Sequence, residues 1–257
     1  MKIEDIKSIG IVGAGVMGGG IAQTAILAGY NVICRDLTEE ILARTKDTMI
    51  NGRFGFKGGV ERGKQTQQQV DQALARLKFT TKVEDLKNCD FVLEAIGGGD
   101  SGQLENKPLK IKVFGELDKI VKKEAIFASN TSFFTIADLA AATKRKDRFI
   151  GMHFFSPANI MRLVEVTYTP DVKEEVIQIT EEICKRLGKT SIRVKDVPGD
   201  TGFVANRIFY RGVGAEARKV VDEGVASPQD VDTAMKLGFN WPAGPFEMGA
   251  GARGGWG

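Results

Sequence analysis

The chain has 257 residues, of which 42% are hydrophobic and 27% charged, and its formal net charge at pH 7 is +3. This length suits one large domain or two modest ones, and the composition is typical of a soluble globular protein. The small net charge predicts neither a nucleic-acid partner nor a membrane surface. No apolar run reaches about 18 residues, and the first predicted strand begins near Lys7, too early for a signal peptide. We therefore expect a soluble, cytoplasmic protein.

Strand and helix patterns alternate over most of the chain, and this alternation predicts an α/β fold. Apolar strands of this kind form a parallel sheet that helices cover on both faces. From Phe203 onward the pattern is helical only. We therefore predict two domains, residues 1–195 with the sheet and residues 196–257 with helices. The predicted strands are 8–12, 31–35, 91–95, 126–129, 149–153 and 163–166, and the predicted helices are 21–28, 111–121 and 136–142.

Two glycine-rich stretches, residues 51–69 and 96–107, are predicted to be solvated surface loops. The first is also basic. It contains Arg53, Lys57, Arg62 and Lys64, with Glu61 as its single acid.

Three glycines form a GxGxxG turn between the first predicted strand and helix. Gly13 permits a tight turn, Gly15 lets a pyrophosphate approach the backbone, and Gly18 lets the helix pack on the strand. The pyrophosphate then binds the free N–H groups at the helix N-terminus, where Val16 and Met17 complete the turn. This arrangement predicts a dinucleotide-binding site in a Rossmann-type, doubly wound sheet.

The type of dinucleotide depends on the end of the second predicted strand. Asp36 lies about twenty residues after the turn, where a carboxylate accepts hydrogen bonds from the adenosine ribose. A carboxylate repels a 2′-phosphate, so NAD is favoured over NADP. The neighbouring Arg35 keeps NADP as an alternative, because arginine can accommodate that phosphate.

His153, in the segment GMHFFSP, is the single histidine of the chain. Imidazole is the side chain best suited to proton transfer near neutral pH, so His153 is the candidate general base. The alternative is a packing residue at a strand end. Cys34, Cys89 and Cys184 are scattered without CxxC spacing, so we expect no metal site and no disulfide scaffold.

Glu165, in the segment LVEV, can face His153 if the two predicted strands form a hairpin-like pair. A carboxylate there would fix the imidazole tautomer and stabilise the imidazolium. The alternative is a surface acid on an edge strand. Ser132, in SNTSF, and Asn206, in FVANR, are further polar candidates for the site.

Together these segments resemble one family. The motifs GAGVMGGGIAQ, CRD, SNTSF, GMHFFSP, MRLVEV, FVANR and DVDTAMKLGFNWPAGPFEMG follow in the order found in L-3-hydroxyacyl-CoA dehydrogenases. The resemblance implies that His153 is the general base, that Glu165 orients it, and that Ser132 and Asn206 hold the substrate oxygen. It also implies NAD as the cofactor, acyl-CoA thioesters as substrates and a helical second domain that forms a homodimer.

The resemblance extends to three further residues. Glu105 and Lys110 match family positions that contact the cofactor, and Ser132 is expected to contact the cofactor as well as the substrate. The basic stretch after Asn51 corresponds to a region near the CoA moiety, where cations bind phosphates as charge-assisted partners. Lys64 is the predicted substrate contact there, while Arg53, Lys57 and Arg62 are equally compatible with solvation.

The chain departs from the family pattern in three places. The loop after Ala95 is longer, and its glycines predict a flexible insertion. A short insertion in PGDTGF precedes the segment that bears Asn206. The glycine-rich residues 249–257 predict no good helix, so the helical domain is expected to be shortened.

Two rival functions fit part of the sequence. A dehydrogenase of free 3-hydroxy acids shares the GxGxMG turn, but it uses lysine as the acid–base residue. A non-catalytic NAD-binding protein fits the shortened helical domain, but it does not explain the retained polar site residues.

Overall fold

A computed structural model describes residues 1–97, 105–197 and 203–254, and the chain divides into two compact units, Met1–Asp200 and Thr201–Gly257. The predicted flexible insertion and most of the PGDTGF segment lie outside the described residues.

The first unit is built on an eight-stranded sheet, which confirms the predicted α/β fold. The strand order is β3-β2-β1-β4-β5-β6-β7-β8. All neighbouring strands are parallel except β6 and β7, which are antiparallel. The strands are β1 (Ser8–Val12), β2 (Asn31–Arg35), β3 (Leu77–Thr80), β4 (Phe91–Glu94), β5 (Ile126–Ser129), β6 (Phe149–Phe154), β7 (Leu163–Tyr168) and β8 (Thr190–Lys195).

Seven α-helices and three short 3₁₀ turns belong to the described part of this unit. The helices are α1 (Val16–Leu27), α2 (Glu39–Asn51), α3 (Phe56–Glu61), α4 (Gln67–Leu74), α5 (Lys107–Ile120), α6 (Ile136–Ala140) and α7 (Glu174–Arg186). The 3₁₀ turns are Ile3–Asp5, Val83–Asn88 and Lys146–Arg148.

The central strands are buried on both faces. Every residue of β4, β5 and β6 is buried, which is why these strands are mostly apolar in the sequence. On one face Phe114 of α5 contacts Phe149 and Phe127, with ring centroids 4.6 and 5.9 Å apart. This packing holds α5 against the amino ends of β5 and β6, while the polar candidates lie at or after the carboxyl ends of these strands.

The prediction of a loop over residues 51–69 is wrong, because α3 and the start of α4 lie within it. Phe56 is 2% exposed and anchors α3 to the core. Thr66 caps α4: its hydroxyl accepts from the Gln69 N–H, and the Gln69 side chain accepts from the Thr66 N–H. A buried aromatic residue and a capping box outweigh the glycines here.

Strands β3 and β8 were not predicted. They are the two edges of the sheet. In β3, LKFT, only Thr80 is buried, and in β8, TSIRVK, only Val194 is buried. Such strands lack the apolar run that marks the central strands, since an edge strand is only partly covered.

The second unit is helical in its described part. It contains α8 (Val204–Arg207), a π-helical segment (Ile208–Val213), α9 (Gly214–Asp222), α10 (Pro228–Phe239) and α11 (Pro245–Gly254). In the part of the chain that the structure describes, no helix combines the length and the apolar character needed to cross a membrane.

The prediction that residues from 249 onward form no helix is wrong as far as Gly254, where α11 ends. The Asp232 carboxylate accepts hydrogen bonds from the N–H groups of Phe246 (2.8 Å) and Glu247 (3.1 Å). Glu247 in turn accepts from the Gly244 N–H at 2.9 Å. A cap from another helix therefore starts α11, which offsets the poor helix propensity of its glycines.

Candidate active site

The glycine turn has the geometry that binding of a pyrophosphate requires. Gly13 has φ of +100°, a conformation that side chains other than glycine rarely adopt. A Cβ at Gly18 would lie 1.8 Å from the Gly13 carbonyl oxygen, so only glycine lets α1 approach β1 this closely. A Cβ at Gly15 would meet nothing within 4 Å, because this side of the turn is open. The open turn at the N-terminus of α1 therefore fits a bound phosphate group.

Asp36 lies directly beside this turn. One carboxylate oxygen accepts from the Ala14 N–H at 2.5 Å, and the other accepts from the Leu37 N–H at 2.6 Å. Arg35 points away towards β3, where its Nε donates to the Thr81 carbonyl at 3.4 Å. Val16, at the start of α1, is 78% exposed. The Asp36 carboxylate beside the turn therefore suits an adenosine ribose diol better than a 2′-phosphate.

His153 and Glu165 are directly opposite each other on the antiparallel strands β6 and β7. His153 Nδ1 lies 2.8 Å from Glu165 Oε2, and the two side chains are 4% and 0% exposed. The imidazole also contacts the Phe155 ring, with centroids 4.6 Å apart. A buried carboxylate therefore orients the single histidine of the chain.

Asn130 holds the backbone next to His153. It follows β5, and its Oδ1 accepts a hydrogen bond from the Phe154 N–H at 2.8 Å. Sequence reasoning missed this residue, although it lies inside the SNTSF motif. Its neighbour Ser132 is half-buried, and the Ser132 N–H donates to Glu105 Oε1 at 2.6 Å.

Lys110, in the first turn of α5, is buried beside Glu105. Its ammonium donates to Glu94 Oε1 at 2.5 Å and to the Ile96 carbonyl at 2.9 Å, and it lies 3.2 Å from Glu105 Oε2. Glu94, the last residue of β4, was also missed, because one acid in the apolar segment FVLEA gives no signal of its surroundings.

Asn206 lies in α8 of the second unit and is half-buried. The other three predicted catalytic residues, His153, Glu165 and Ser132, lie in the first unit.

Lys64 lines a basic cavity in the first unit, with a volume of about 390 Å³. Four other cations line it as well: Arg62, Arg162, Arg186 and Lys189. The Lys189 ammonium donates to the carbonyls of Ala158 (2.6 Å) and Met161 (2.8 Å), and burial lowers its pKa. The basic cavity therefore borders the turn between β6 and β7.

Within the described residues, no group of three histidine, cysteine, aspartate or glutamate side chains could hold a metal ion. The chemistry that the site residues themselves support is proton transfer at His153, at the same edge of the sheet as a turn that suits a dinucleotide.

Two family models match the chain in succession. The NAD binding domain of 3-hydroxyacyl-CoA dehydrogenase matches residues 8–197, and the C-terminal domain of the same enzyme matches residues 202–252.

Curated relatives match over most of their own lengths. The mitochondrial hydroxyacyl-coenzyme A dehydrogenase of Rattus norvegicus is 40% identical over 95% of this chain and 75% of its own. The probable 3-hydroxybutyryl-CoA dehydrogenase of Deinococcus radiodurans is 41% identical over 93% of this chain and 81% of its own.

A solved structure agrees with these relatives. The (S)-3-hydroxybutyryl-CoA dehydrogenase of Ralstonia eutropha superposes with a TM-score of 0.82 at 40% identity, over 93% of this chain and 80% of that one. Since both domain models match in order and the relatives align over most of the chain, this protein is an NAD-binding enzyme of the 3-hydroxyacyl-CoA dehydrogenase family.

Proposed function

We propose that the enzyme interconverts an L-3-hydroxyacyl-CoA and its 3-oxoacyl-CoA, with His153 as the general base and Glu165 as the carboxylate that orients it. The observation that carries this proposal is the buried contact of 2.8 Å between His153 Nδ1 and Glu165 Oε2. No other histidine exists in the sequence to take this role.

The contact decides which imidazole nitrogen acts. With a carboxylate at Nδ1, the neutral imidazole keeps its proton on Nδ1 and donates it to Glu165. The lone pair is then on Nε2, which takes the proton of the substrate hydroxyl. Glu165 also stabilises the imidazolium that forms, because its negative charge stays beside the ring. In the reduction direction the same imidazolium returns the proton to the oxygen.

The glycine turn and the acids beside it are the proposed cofactor residues. Gly13, Gly15 and Gly18, with Val16 and Met17, would bind the pyrophosphate, and Asp36 the adenosine ribose. Glu105, which precedes α5, and Lys110, in its first turn, are proposed to contact the cofactor. NAD held by these residues would supply the acceptor for the hydride of carbon 3 of the substrate.

Ser132 and Asn206 are proposed to hold the substrate oxygen. Ser132 follows β5, and its backbone is held by Glu105 close to the end of the neighbouring strand β6. A hydroxyl donor at this oxygen would place the hydroxyl proton towards His153 and polarise the carbonyl in the reverse reaction.

The phosphates of CoA are proposed to bind in the basic cavity, with Lys64 as a direct contact. Five cations line this cavity, which matches the charge of a 3′-phosphate and a pyrophosphate. This proposal gives a function to the basic stretch after Asn51.

Initial rates of NADH formation with 3-hydroxybutyryl-CoA test the proposal. We expect turnover of the thioester, far slower turnover of free 3-hydroxybutyrate, and a fall of roughly 10²- to 10⁴-fold in kcat for His153→Gln. Binding of NADH by the variant, followed by fluorescence, is the control and should be unchanged. Equal rates for the two proteins would refute the assignment of His153, and preference for the free acid would refute the substrate class.

A homodimer in the cytoplasm stays a prediction. Three large apolar side chains of the second unit support the dimer: Ile208, Leu237 and Phe239 are 63%, 83% and 73% exposed. Light scattering after gel filtration measures the oligomeric state, and a monomer at micromolar concentration would contradict it.

A further inference from the structure

Glu94 lies at the carboxyl end of β4 and is 0% exposed. Its Oε1 accepts from the Lys110 ammonium (2.5 Å) and from the Ile96 N–H (2.6 Å), and its Oε2 accepts from the Ser129 hydroxyl (2.6 Å). A carboxylate this deeply buried is strongly destabilising unless its oxygens are matched by donors. Both oxygens of Glu94 are matched.

These donors belong to three segments of the candidate site. Ile96 lies in the loop that follows β4, Ser129 ends β5 and is the first residue of the SNTSF motif, and Lys110 is in the first half of α5. Glu94 is therefore the point at which the three segments meet.

Lys110 links Glu94 to Glu105, because its ammonium contacts both carboxylates. The Glu105 Oε2 atom is buried and, among the described residues, has no hydrogen bond, so the Lys110 ammonium 3.2 Å away is its compensating charge. The other oxygen, Oε1, accepts from the Ser132 N–H at 2.6 Å. A chain of contacts thus runs from Glu94 through Lys110 and Glu105 to the backbone of Ser132.

We propose that Glu94 is a positioning residue of the cofactor site, which acts through Lys110 and Glu105 on the Ser132 turn. The NAD-binding assignment of this domain suffices for the binding test below, whereas the role of Ser132 in the reaction rests on the proposed function. Without the charge at Glu94, the Lys110 ammonium loses one of its two carboxylate partners and is no longer held in place. Glu105, which faces this ammonium, and the backbone of Ser132 then lose their fixed position.

A matched control exists at the other end of the same strand. Asp90 directly precedes β4 and is 8% exposed, and it accepts from the Lys122 ammonium, the Ser8 hydroxyl and the N–H groups of Lys7 and Ser8. Like Glu94, it is a carboxylate with a lysine, a serine hydroxyl and backbone donors. It differs in its place, since it lies at the amino end of the sheet, away from the glycine turn.

The experiment compares Glu94→Gln with Asp90→Asn. Both substitutions keep the size of the side chain, remove one charge and leave one oxygen acceptor. We expect the Kd for NADH, measured by fluorescence on the folded proteins, to rise about tenfold for Glu94→Gln and to stay within about twofold for Asp90→Asn. A merely structural role would lower the melting temperature of both variants and leave both Kd values unchanged.

The route through Lys110 has its own test. Lys110→Gln should raise the Kd for NADH by at least as much, because Lys110 is also a proposed cofactor contact, and the double variant with Glu94→Gln should raise it no further than Lys110→Gln alone. Losses that multiply in the double variant would overturn the proposed route. An unchanged Kd in Glu94→Gln, or an equal rise in Asp90→Asn, would overturn the role of Glu94.

These results are independent of the substrate. If the wild-type enzyme binds NADH but does not oxidise a hydroxyacyl-CoA, the proposed function fails and the role of Glu94 in cofactor binding is still measured. If Glu94→Gln binds NADH as the wild type does, the inference fails and the proposed reaction is unaffected.

Discussion

The two ends of the sheet both bury charged groups, but these groups connect different parts of the molecule. At the amino end, the Arg145 guanidinium donates to Asp118 and to the carbonyls of Lys122, Ala125 and Val121. These contacts join loops and the end of a helix. At the carboxyl end, the partners of Glu94 and Glu165 lie in segments that carry the predicted site residues. A buried charge therefore indicates function only when its partners belong to the site.

The largest difference between the two ends is expected from Glu165→Gln at the carboxyl end. A glutamine can present its amide NH₂ to Nδ1 and hold the wrong imidazole tautomer, so we expect kcat/KM to fall about 10³-fold. The Kd for NADH should not change. A variant with nearly wild-type kcat/KM would show that Glu165 is a packing partner of His153 and does not assist it.

At the amino end, Arg145→Met should affect stability and not cofactor binding. The substitution removes the cation beside the Asp118 carboxylate, which then keeps only the Lys144 N–H, and it takes one donor from several carbonyls, so the free energy of unfolding should fall by roughly 3–5 kcal/mol. Urea denaturation measures this change, and an NADH titration of the folded protein should give the wild-type Kd. A raised Kd would contradict the proposed division between the two ends.

The matched control for Arg145 is Arg193→Met. Arg193 also binds two carboxylates, Glu181 at 2.7 Å and Glu174 at 2.9 Å, but its side chain is 41% exposed. Exposed ion pairs contribute little because water and salt screen them, so the urea midpoint should scarcely move.

A smaller effect, which depends on pH, is expected from Asp90→Asn. Burial by itself raises the pKa of Asp90, but hydrogen bonds from Lys122, Lys7 and Ser8 outweigh it and hold the pKa below its ordinary value. The carboxylate therefore stabilises the fold above the unfolded pKa of about 3.9, and this contribution is lost as the pH falls through the folded pKa. We expect the variant to lose about 2 kcal/mol at pH 7 and less at pH 3. Urea denaturation at both pH values measures this, and an equal loss at both would contradict it.

The cysteines are expected to give the smallest effect. Burial raises the pKa of Cys34, Cys89 and Cys184 to about 12, so all three stay thiols at neutral pH. We expect a disulfide reagent such as dithionitrobenzoate to leave the native protein unmodified and to label three thiols after denaturation. Rapid labelling of the native protein would mean that one of these regions opens easily.

The parts of the fold that could be predicted are those in which local sequence and tertiary environment agree. The turn with Gly13 and Gly18 is specified by backbone sterics, which act over a few residues. The pairing of His153 with Glu165 follows from two antiparallel strands that are consecutive in the chain, because their register sets the partners.

Other features depend on distant partners. Phe56 anchors α3 against the core, and Asp232 caps α11 from another helix. Glu94 is a single acid in an apolar strand. Its proposed positioning role depends on contact with Lys110, which is sixteen positions away in the sequence. The sequence pattern of a single helix or strand does not indicate such contacts.

Lys189 connects the basic cavity with the turn that follows His153. Its ammonium lines the basic cavity and donates to two carbonyls of the turn that follows His153. In the proposed mode of binding, the CoA phosphates and the reacting end of the substrate would therefore both lie against this turn. Binding energy from the nucleotide part of CoA, which lies far from the reacting carbon, can then improve the alignment of that carbon. A thioester of pantetheine, which lacks the nucleotide, should accordingly react with a lower kcat as well as a higher KM.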